Sequence, residues 1–362
     1  MNSYTIIEAN VKRNKEDILS ILKRNLRVAS TQRYEWNYEN CPYGTARCWL
    51  AKYENSNSFV GSTALFPRKI TINGEPVYAG IAGDFAVDKK HRAYGPALKL
   101  QREIQSRLRN TQFKFIYGVP NELSKTLFLR IGYKEIGEFK LFIKILKTKY
   151  IPKEYLSLSL RSKMLLKVMN FLTSFKMLSL AIDIPIKIIS KELRYKKTFN
   201  YSVEMPEFFD DRFDAFWKKV SKQFNIIGER TSNFLNWRYK QSSFQEYKIF
   251  CILDDKKNIA GYIVYYFKDN ICNIVDMLFL TSENILDSLL AEFALYTRAN
   301  RIGAIVIRYL GNRLLEEKLK EFNFFMIKKI DMHLVIYSPN LSFESNLLDK
   351  KNWHFFAGDN DI

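Results

Sequence analysis

The residues best able to do chemistry lie together in one stretch, Gly83-Asp-Phe-Ala-Val-Asp-Lys-Lys-His-Arg-Ala-Tyr-Gly-Pro-Ala97. Lys89, Lys90, His91 and Arg92 concentrate positive charge in a short turn, and Gly95 lets a ligand approach the backbone closely. Pro96 suits a first helical turn, where its missing N–H has no partner to lose. Beyond it Ala97, Leu100, Ile104 and Leu108 recur at spacings of three and four, which predicts a helix. Amides left free at a helix start, backed by the positive end of the helix dipole, bind an anion. The stretch therefore reads as a phosphate cradle. Asp84 is the one carboxylate on the small, apolar strand 79–87 that feeds it. Flanked by Gly83 and Phe85, it is expected to be partly desolvated, with its pKa raised toward neutrality.

A cradle needs strands on both sides. Ahead of it, residues 4–7 read as a strand and 16–26 as a helix with Ile18, Ile21, Leu22 and Leu26 on its apolar side. Strands follow at 48–53 and 58–66, and 69–72 and 77–78 flank an Asn73-Gly74 hairpin turn. Behind it, 113–119 is a buried strand ending at Pro120-Asn121. A helix over 122–130 stops at Gly132, and Phe139, Leu141, Ile143 and Ile145 alternate as a strand.

Val87, Arg92, Gly95 and Ala97, with Leu100 one turn on, are similar to the acetyl-coenzyme A signature of the GCN5-related N-acetyltransferase (GNAT) superfamily. That signature is an apolar residue, four others, then Arg/Gln-x-x-Gly-x-Gly/Ala. Asn121-x-x-Ser-x-x-x-Phe128-x-x-x-Gly132-Tyr133 resembles the second half of the same core. The resemblance implies an α+β fold, a mostly antiparallel mixed sheet flanked by helices. It implies that the backbone of Arg92, Ala93, Tyr94, Gly95, Pro96 and Ala97 holds the pyrophosphate of acetyl-coenzyme A or another acyl-coenzyme A. Phe85, Ala86 and Val87 would splay from the neighbouring strand and pair with the pantetheine arm, which Asn121 and Phe128 would also meet. The sequence departs from the family in two places: Pro96 removes one amide, and Ala93 stands where glycine is usual.

Acyl transfer from a thioester to an amine needs a base for the nucleophile and an acid for the departing thiolate. Asp84 is the candidate base, with Glu35 and Glu39 behind it; the competing role for Asp84 is structural, accepting backbone N–H bonds at a strand bulge. The family commonly uses a tyrosine as the acid, and the matching position is Phe128, which cannot donate. Tyr133 is the available phenol.

At 362 residues, with 47% apolar and 15% aromatic content, the chain can fill two cores. From about residue 203 the first pattern returns: Trp237 follows Trp36 by 201 residues and Gly261 follows Gly61 by 200. An offset held this constant implies duplication. The expected division is an N-terminal GNAT domain with the acyl-coenzyme A site (1–146), a basic helical connector (147–202) and a degenerate C-terminal copy (203–362). In that copy residues 281–290 contain no glycine, and Glu283 and Asp287 would repel a pyrophosphate, so the second copy is expected to have lost the cofactor. It would shape the acceptor cleft and support the first copy.

Trp353-His-Phe-Phe-Ala-Gly-Asp-Asn-Asp361 resembles the ending of tandem acetyltransferase-like proteins of bacterial polysaccharide and surface-glycan clusters. An amino sugar, sugar nucleotide or similar small amine is the acceptor this implies. Fem-type peptidyl transferases also pair two such folds and use charged tRNA, which would suit a net charge of +19, but they lack a coenzyme A cradle. A coenzyme-binding or scaffold protein without turnover is the third reading, favoured by Phe128, Pro96 and the eroded second copy. No specific nucleic-acid partner is expected.

Residues 147–200 hold 12 Lys or Arg against 3 Asp or Glu, with apolar runs broken too often to span a membrane. They suit either a solvated connector or a basic amphipathic surface for an anionic leaflet or acidic carrier protein. Cys41, Cys48, Cys251 and Cys272 form no C-x-x-C pair, and only His91, His333 and His354 join them, so neither metal nor disulfide is indicated. With no secretory signal visible, a reducing cytoplasm is the expected setting, with residence at the inner face of the membrane if 147–200 binds there.

Overall fold

Asn73 and Gly74 take φ of 50° and 87°, the left-handed pair that a two-residue hairpin needs. They join β3 (Ser58–Ile72) to β4 (Glu75–Val87), paired antiparallel from Ile72↔Glu75 to Gly61↔Val87. The sequence pattern divides each of these strands in two around Pro67-Arg68 and Tyr78. The strands run on because Arg68 folds inward, donating to Pro67 O at 2.9 Å and lying 5.0 Å from the Trp237 ring centre. This computed structural model describes residues 3–26, 29–147, 184, 187–197, 200–242, 244–327, 331–339 and 341–361.

Before the hairpin come β1 (Tyr4–Ala9), α1 (Lys15–Asn25), α2 (Thr31–Tyr34) and β2 (Arg47–Tyr53). A π-helical turn, Glu35–Glu39, extends α2. After the hairpin come a 3-10 helix (Lys89–Tyr94), α3 (Pro96–Arg107), β5 (Phe115–Gly118), α4 (Glu122–Arg130), β6 (Lys134–Glu138) and β7 (Lys140–Ile145). The two main helices cover opposite faces of the sheet. Ile18, Leu19, Ile21 and Leu22 of α1 pack with Phe66 and Ile81, whereas Leu100 and Ile104 of α3 pack with Leu65, Ala82 and Ile116.

The order of elements then recurs. After a short α5 (Lys191–Arg194) come β8 (Ser202–Glu204), α6 (Asp211–Val220), β9 (Ile226–Gly228) and α7 (Ser232–Leu235), again extended by a π-helical turn, Asn236–Lys240. β10 (Lys248–Leu253), β11 (Ile259–Lys268), β12 (Ile271–Phe279), α8 (Glu283–Ala299), β13 (Ala304–Gly311), α9 (Arg313–Glu321) and β14 (Phe325–Ile327) follow. β15 (His333–Tyr337), α10 (Leu341–Leu348) and β16 (Trp353–Phe356) complete the described elements, and all sixteen strands belong to one sheet.

Two strands are exchanged between the halves. β7 lies between β13 and β14, while β15 lies between β5 and β6. Each half therefore completes its sheet with a strand from the other. At the centre Trp36 and Trp237 stack at 4.8 Å, and each indole N–H donates to the other's carbonyl, at 2.7 and 3.0 Å. The surface or carrier contact expected of 147–200 falls largely on residues 148–183, outside the described residues. Among the described residues no helix is long and apolar enough to cross a membrane.

Candidate active site

The site begins with a bulge in β4. Ser62 pairs with Ala86 and Ala64 with Gly83, so Asp84 and Phe85 together oppose Thr63. A bulge of this kind leaves one residue out of the ladder and bends the strand. Asp84 takes φ 47°, a left-handed backbone that aspartate tolerates better than most residues. Its side chain explains why the bulge holds: Oδ2 accepts from Arg33 Nη1 at 2.6 Å and from Tyr38 O–H at 2.9 Å. The Arg33 and Asp84 side chains are 2% and 3% exposed. Burial alone would lower the Arg33 pKa, but Asp84 outweighs it and holds the guanidinium above its ordinary value. Burial, reinforced by Asp84, pushes the Tyr38 phenol up. Asp84 is thus committed through Oδ2 to a buried ion pair. Of the other carboxylates read from the sequence, Glu35 pairs with Lys15 at 2.7 Å and Glu39 ends the π-helical turn.

Past the bulge, β4 and β5 part company. Their parallel pairing runs from Ala79↔Phe115 to Ile81↔Tyr117, and β5 ends at Gly118 while β4 continues to Val87. From Ala82 onward the β5-facing edge of β4 has no strand partner among the described residues, leaving main-chain groups that an extended ligand can pair with. Ala86 and Val87 are buried along this edge and Phe85 is half-buried. Phe85 meets Phe128 edge-on at 6.4 Å, and Phe128 meets Tyr133 edge-on at 4.8 Å. The Tyr133 hydroxyl is buried without a hydrogen-bond partner among the described residues, and burial pushes its pKa up, keeping it protonated. Asn121 caps α4, its Oδ1 accepting from Ser124 N–H at 2.9 Å.

At the end of β4 the chain turns through the basic corner. Arg92, Ala93 and Tyr94 lie in the 3-10 helix, which draws on their amides. The amides at the mouth of α3 belong to Gly95, Ala97 and Leu98, since Pro96 has none and Lys99 N–H is the first to bond back, to Gly95 O at 3.1 Å. Gly95 has φ 90° and open space where a side chain would start. Arg92 steadies the corner by donating from Nε to Val87 O at 2.9 Å. Burial pushes the Asp88 carboxyl up, but hydrogen bonds from Arg24 and Asn25 overcome this and hold it below the usual range. Arg24, Lys89, Lys90, His91 and Arg92, with Asp88 as the one acid in the lining, line an open cavity of about 420 Å³ between α1 and the 3-10 helix.

The corresponding cleft in the second half is filled. β12 and β13 pair from Ile271↔Ala304 to Ile274↔Ile307 and then diverge. β16 occupies the wedge, pairing Phe356↔Tyr309, Phe355↔Leu310 and His354↔Gly311, with His354 Nε2 donating to Met277 O of β12 at 2.9 Å. Glu283 and Asp287 carried the expectation of a lost cradle, whereas the strand that occupies this wedge has no local signal in the sequence. Arg33 likewise has no local signal.

Among the described residues one group, Glu122, Asp331 and His333, brings possible metal-binding atoms within 4.8 Å of one another. His333 is already engaged by Glu122 at 2.7 Å and Glu135 at 2.8 Å, and the Lys125 ammonium stands 3.1 Å from Glu122. A cation would have to displace these contacts.

No family model and no curated protein matches this sequence. Solved structures do match its fold. A conserved protein from Enterococcus faecalis V583, described as a probable N-acyltransferase, aligns over 93% of this chain and 73% of its own, with a TM-score of 0.66 at 10% identity. A GCN5-related N-acetyltransferase from Anabaena variabilis aligns over 94% and 74%, with a TM-score of 0.61 at 13% identity. The N-myristoyltransferase of Saccharomyces cerevisiae, solved with bound myristoyl-CoA, aligns over 93% and 79%, with a TM-score of 0.54 at 10% identity. The chain has the mixed α/β fold of these GNAT-type proteins.

Proposed function

We propose that this protein is an acyl-coenzyme A dependent acyltransferase built from two copies of the GNAT unit, of which only the first retains a coenzyme site. The observation that carries the reading is the unpaired edge of β4 from Ala82 to Val87, which ends beside the free amides of Gly95, Ala97 and Leu98. One such edge can bind an extended amide-bearing arm, and the amides a diphosphate, at adjoining positions. The cations around the 420 Å³ cavity suit further phosphate. An acyl-coenzyme A supplies the acyl group as a thioester. The bulge residue left out of the β3 ladder offers an N–H for charge developing on the reacting carbonyl oxygen. Tyr133, buried, protonated and without a hydrogen-bond partner among the described residues, is our candidate for the acid that protonates a departing thiolate. Asp84 serves by fixing the bulge through Arg33 and Tyr38. The acceptor is an amine on a sugar, sugar nucleotide or other small molecule.

Titration calorimetry tests the reading. Acetyl-coenzyme A should bind in the low micromolar range, and Arg92→Glu should abolish binding by freeing the corner from Val87 O and repelling the diphosphate. Absence of binding by the unaltered protein would refute it.

A further inference from the structure

The fold builds a mount for Asp361. Arg238, 2% exposed, donates from Nε to Gly358 O at 2.8 Å and from Nη2 to Asn360 O at 3.1 Å. Tyr117 O–H donates to Asp359 O at 3.3 Å. Asp359 in turn pairs with buried Arg230 at 2.7 Å and accepts from Phe356 N–H at 2.8 Å. Buried arginines are costly to place, and here two of them hold three consecutive residues, Gly358 to Asn360, immediately before one carboxylate.

That carboxylate arrives at the bulge. Asp361 Oδ2 would lie 2.2 Å from a Cβ built on Gly83, so only glycine leaves it room. Gly83 opens toward Phe66, on the α1 side of the sheet, whereas Phe128 and α3 lie on the other. The carboxylate thus meets β4 next to the bulge, on the α1 face of the sheet. Unlike Asp84, the Asp361 carboxylate makes no hydrogen bond or ion pair to another described residue, and the residue is half-buried.

We propose that Asp361 is the catalytic base that deprotonates the acceptor amine, a role that rests on the transferase reading above. Burial, then Asp84 of β4, pushes its carboxyl above the ordinary aspartate range, while Arg33 of α2 and Arg68 of β3 pull the other way. The acceptor ammonium gives one proton to the Asp361 carboxylate, and its nitrogen forms the new C–N bond to the acyl carbon. The C–S bond breaks with its electron pair on sulfur, which takes the Tyr133 proton, and the proton released from the new amide nitrogen restores Tyr133.

The test follows free thiol released from acetyl-coenzyme A by the full chain, with water and then a panel of primary amines, including hexosamines and nucleotide-linked amino sugars, as acceptors. Asp361→Asn keeps the shape, so the melting temperature and the calorimetric affinity for acetyl-coenzyme A should stay unchanged while thiol release falls by about 100-fold or more, as removal of a general base does. Gly83→Ala, which displaces the carboxylate, should lower release in the same way. Release from Asp361→Asn within threefold of the unaltered protein, or binding without release by either, would overturn the base while leaving the coenzyme site standing. Failure of both proteins to bind acetyl-coenzyme A would overturn the site and the base together.

Discussion

Acid should loosen the strand that fills the second cleft. His354 is buried in β16, with its ring 4.3 Å from that of Phe224. Met277 O can only accept, so Nε2 carries the proton; Nδ1 is buried without a partner among the described residues. Burial drives the pKa from 6.5 down to about 3, the bond to Met277 O opposing it weakly. The folded protein therefore holds His354 neutral where the unfolded chain already binds a proton. Stability from this group is fully present above pH 6.5 and is lost as pH falls toward 3, because the unfolded state takes up more protons in that window. At pH 5, roughly 1.5 units below the unfolded value, the loss is about 2 kcal/mol at about 1.36 kcal/mol per unit. Urea denaturation at pH 7.5 and 5.0 should thus show the unaltered protein losing about 2 kcal/mol more than His354→Gln, whose amide can reach the same carbonyl without titrating. Hydrogen exchange should locate the added opening in β16. Equal losses in the two proteins would refute the assignment.

Two further outcomes follow from buried pairs. Asp84→Asn strands the Arg33 charge and should cost about 3–5 kcal/mol in denaturant unfolding at neutral pH, and adding Arg33→Leu should recover most of it; additive losses would show that the two side chains do not depend on each other. Trp36→Ala should cost about 3–5 kcal/mol through the cavity left against Trp237. Because strands are exchanged, unfolding should stay a single transition in that variant, and two separated transitions by circular dichroism would contradict the interlocked sheet.

What could be read from the sequence was local. Asn73-Gly74 declares its turn because two adjacent residues fix the backbone there. The spacing of Val87, Arg92, Gly95 and Ala97 declares the corner because strand end, turn and helix start are contiguous. The alternation of Leu141, Ile143 and Ile145 shows that they form a strand, but alternation carries no information about neighbours, so the pairing of β7 with β13 and β14 was invisible. Asp84 was legible as a buried carboxylate or a bulge residue, whereas its counter-ion Arg33 lies 51 residues away. Trp353 to Asp361 stood out as a motif, yet nothing in its residues says that its aromatic part fills one cleft and its last carboxylate reaches the other.

That double placement is what ties the halves into one site. Were the 353–356 strand to leave the wedge between β12 and β13, the bonds from Arg238, Arg230 and Tyr117 would have no fixed backbone to act on, and Asp361 would lose its seat at Gly83. The second half therefore cannot reopen its own cleft for a ligand without dismantling the carboxylate mount that serves the first. On the transferase reading, the strand that fills the second cleft and the carboxylate at Gly83 are parts of one structural feature. Any substitution that unseats β16 should be felt first as weaker protection of Gly358 to Asp361 and only afterwards in the corner around Gly95.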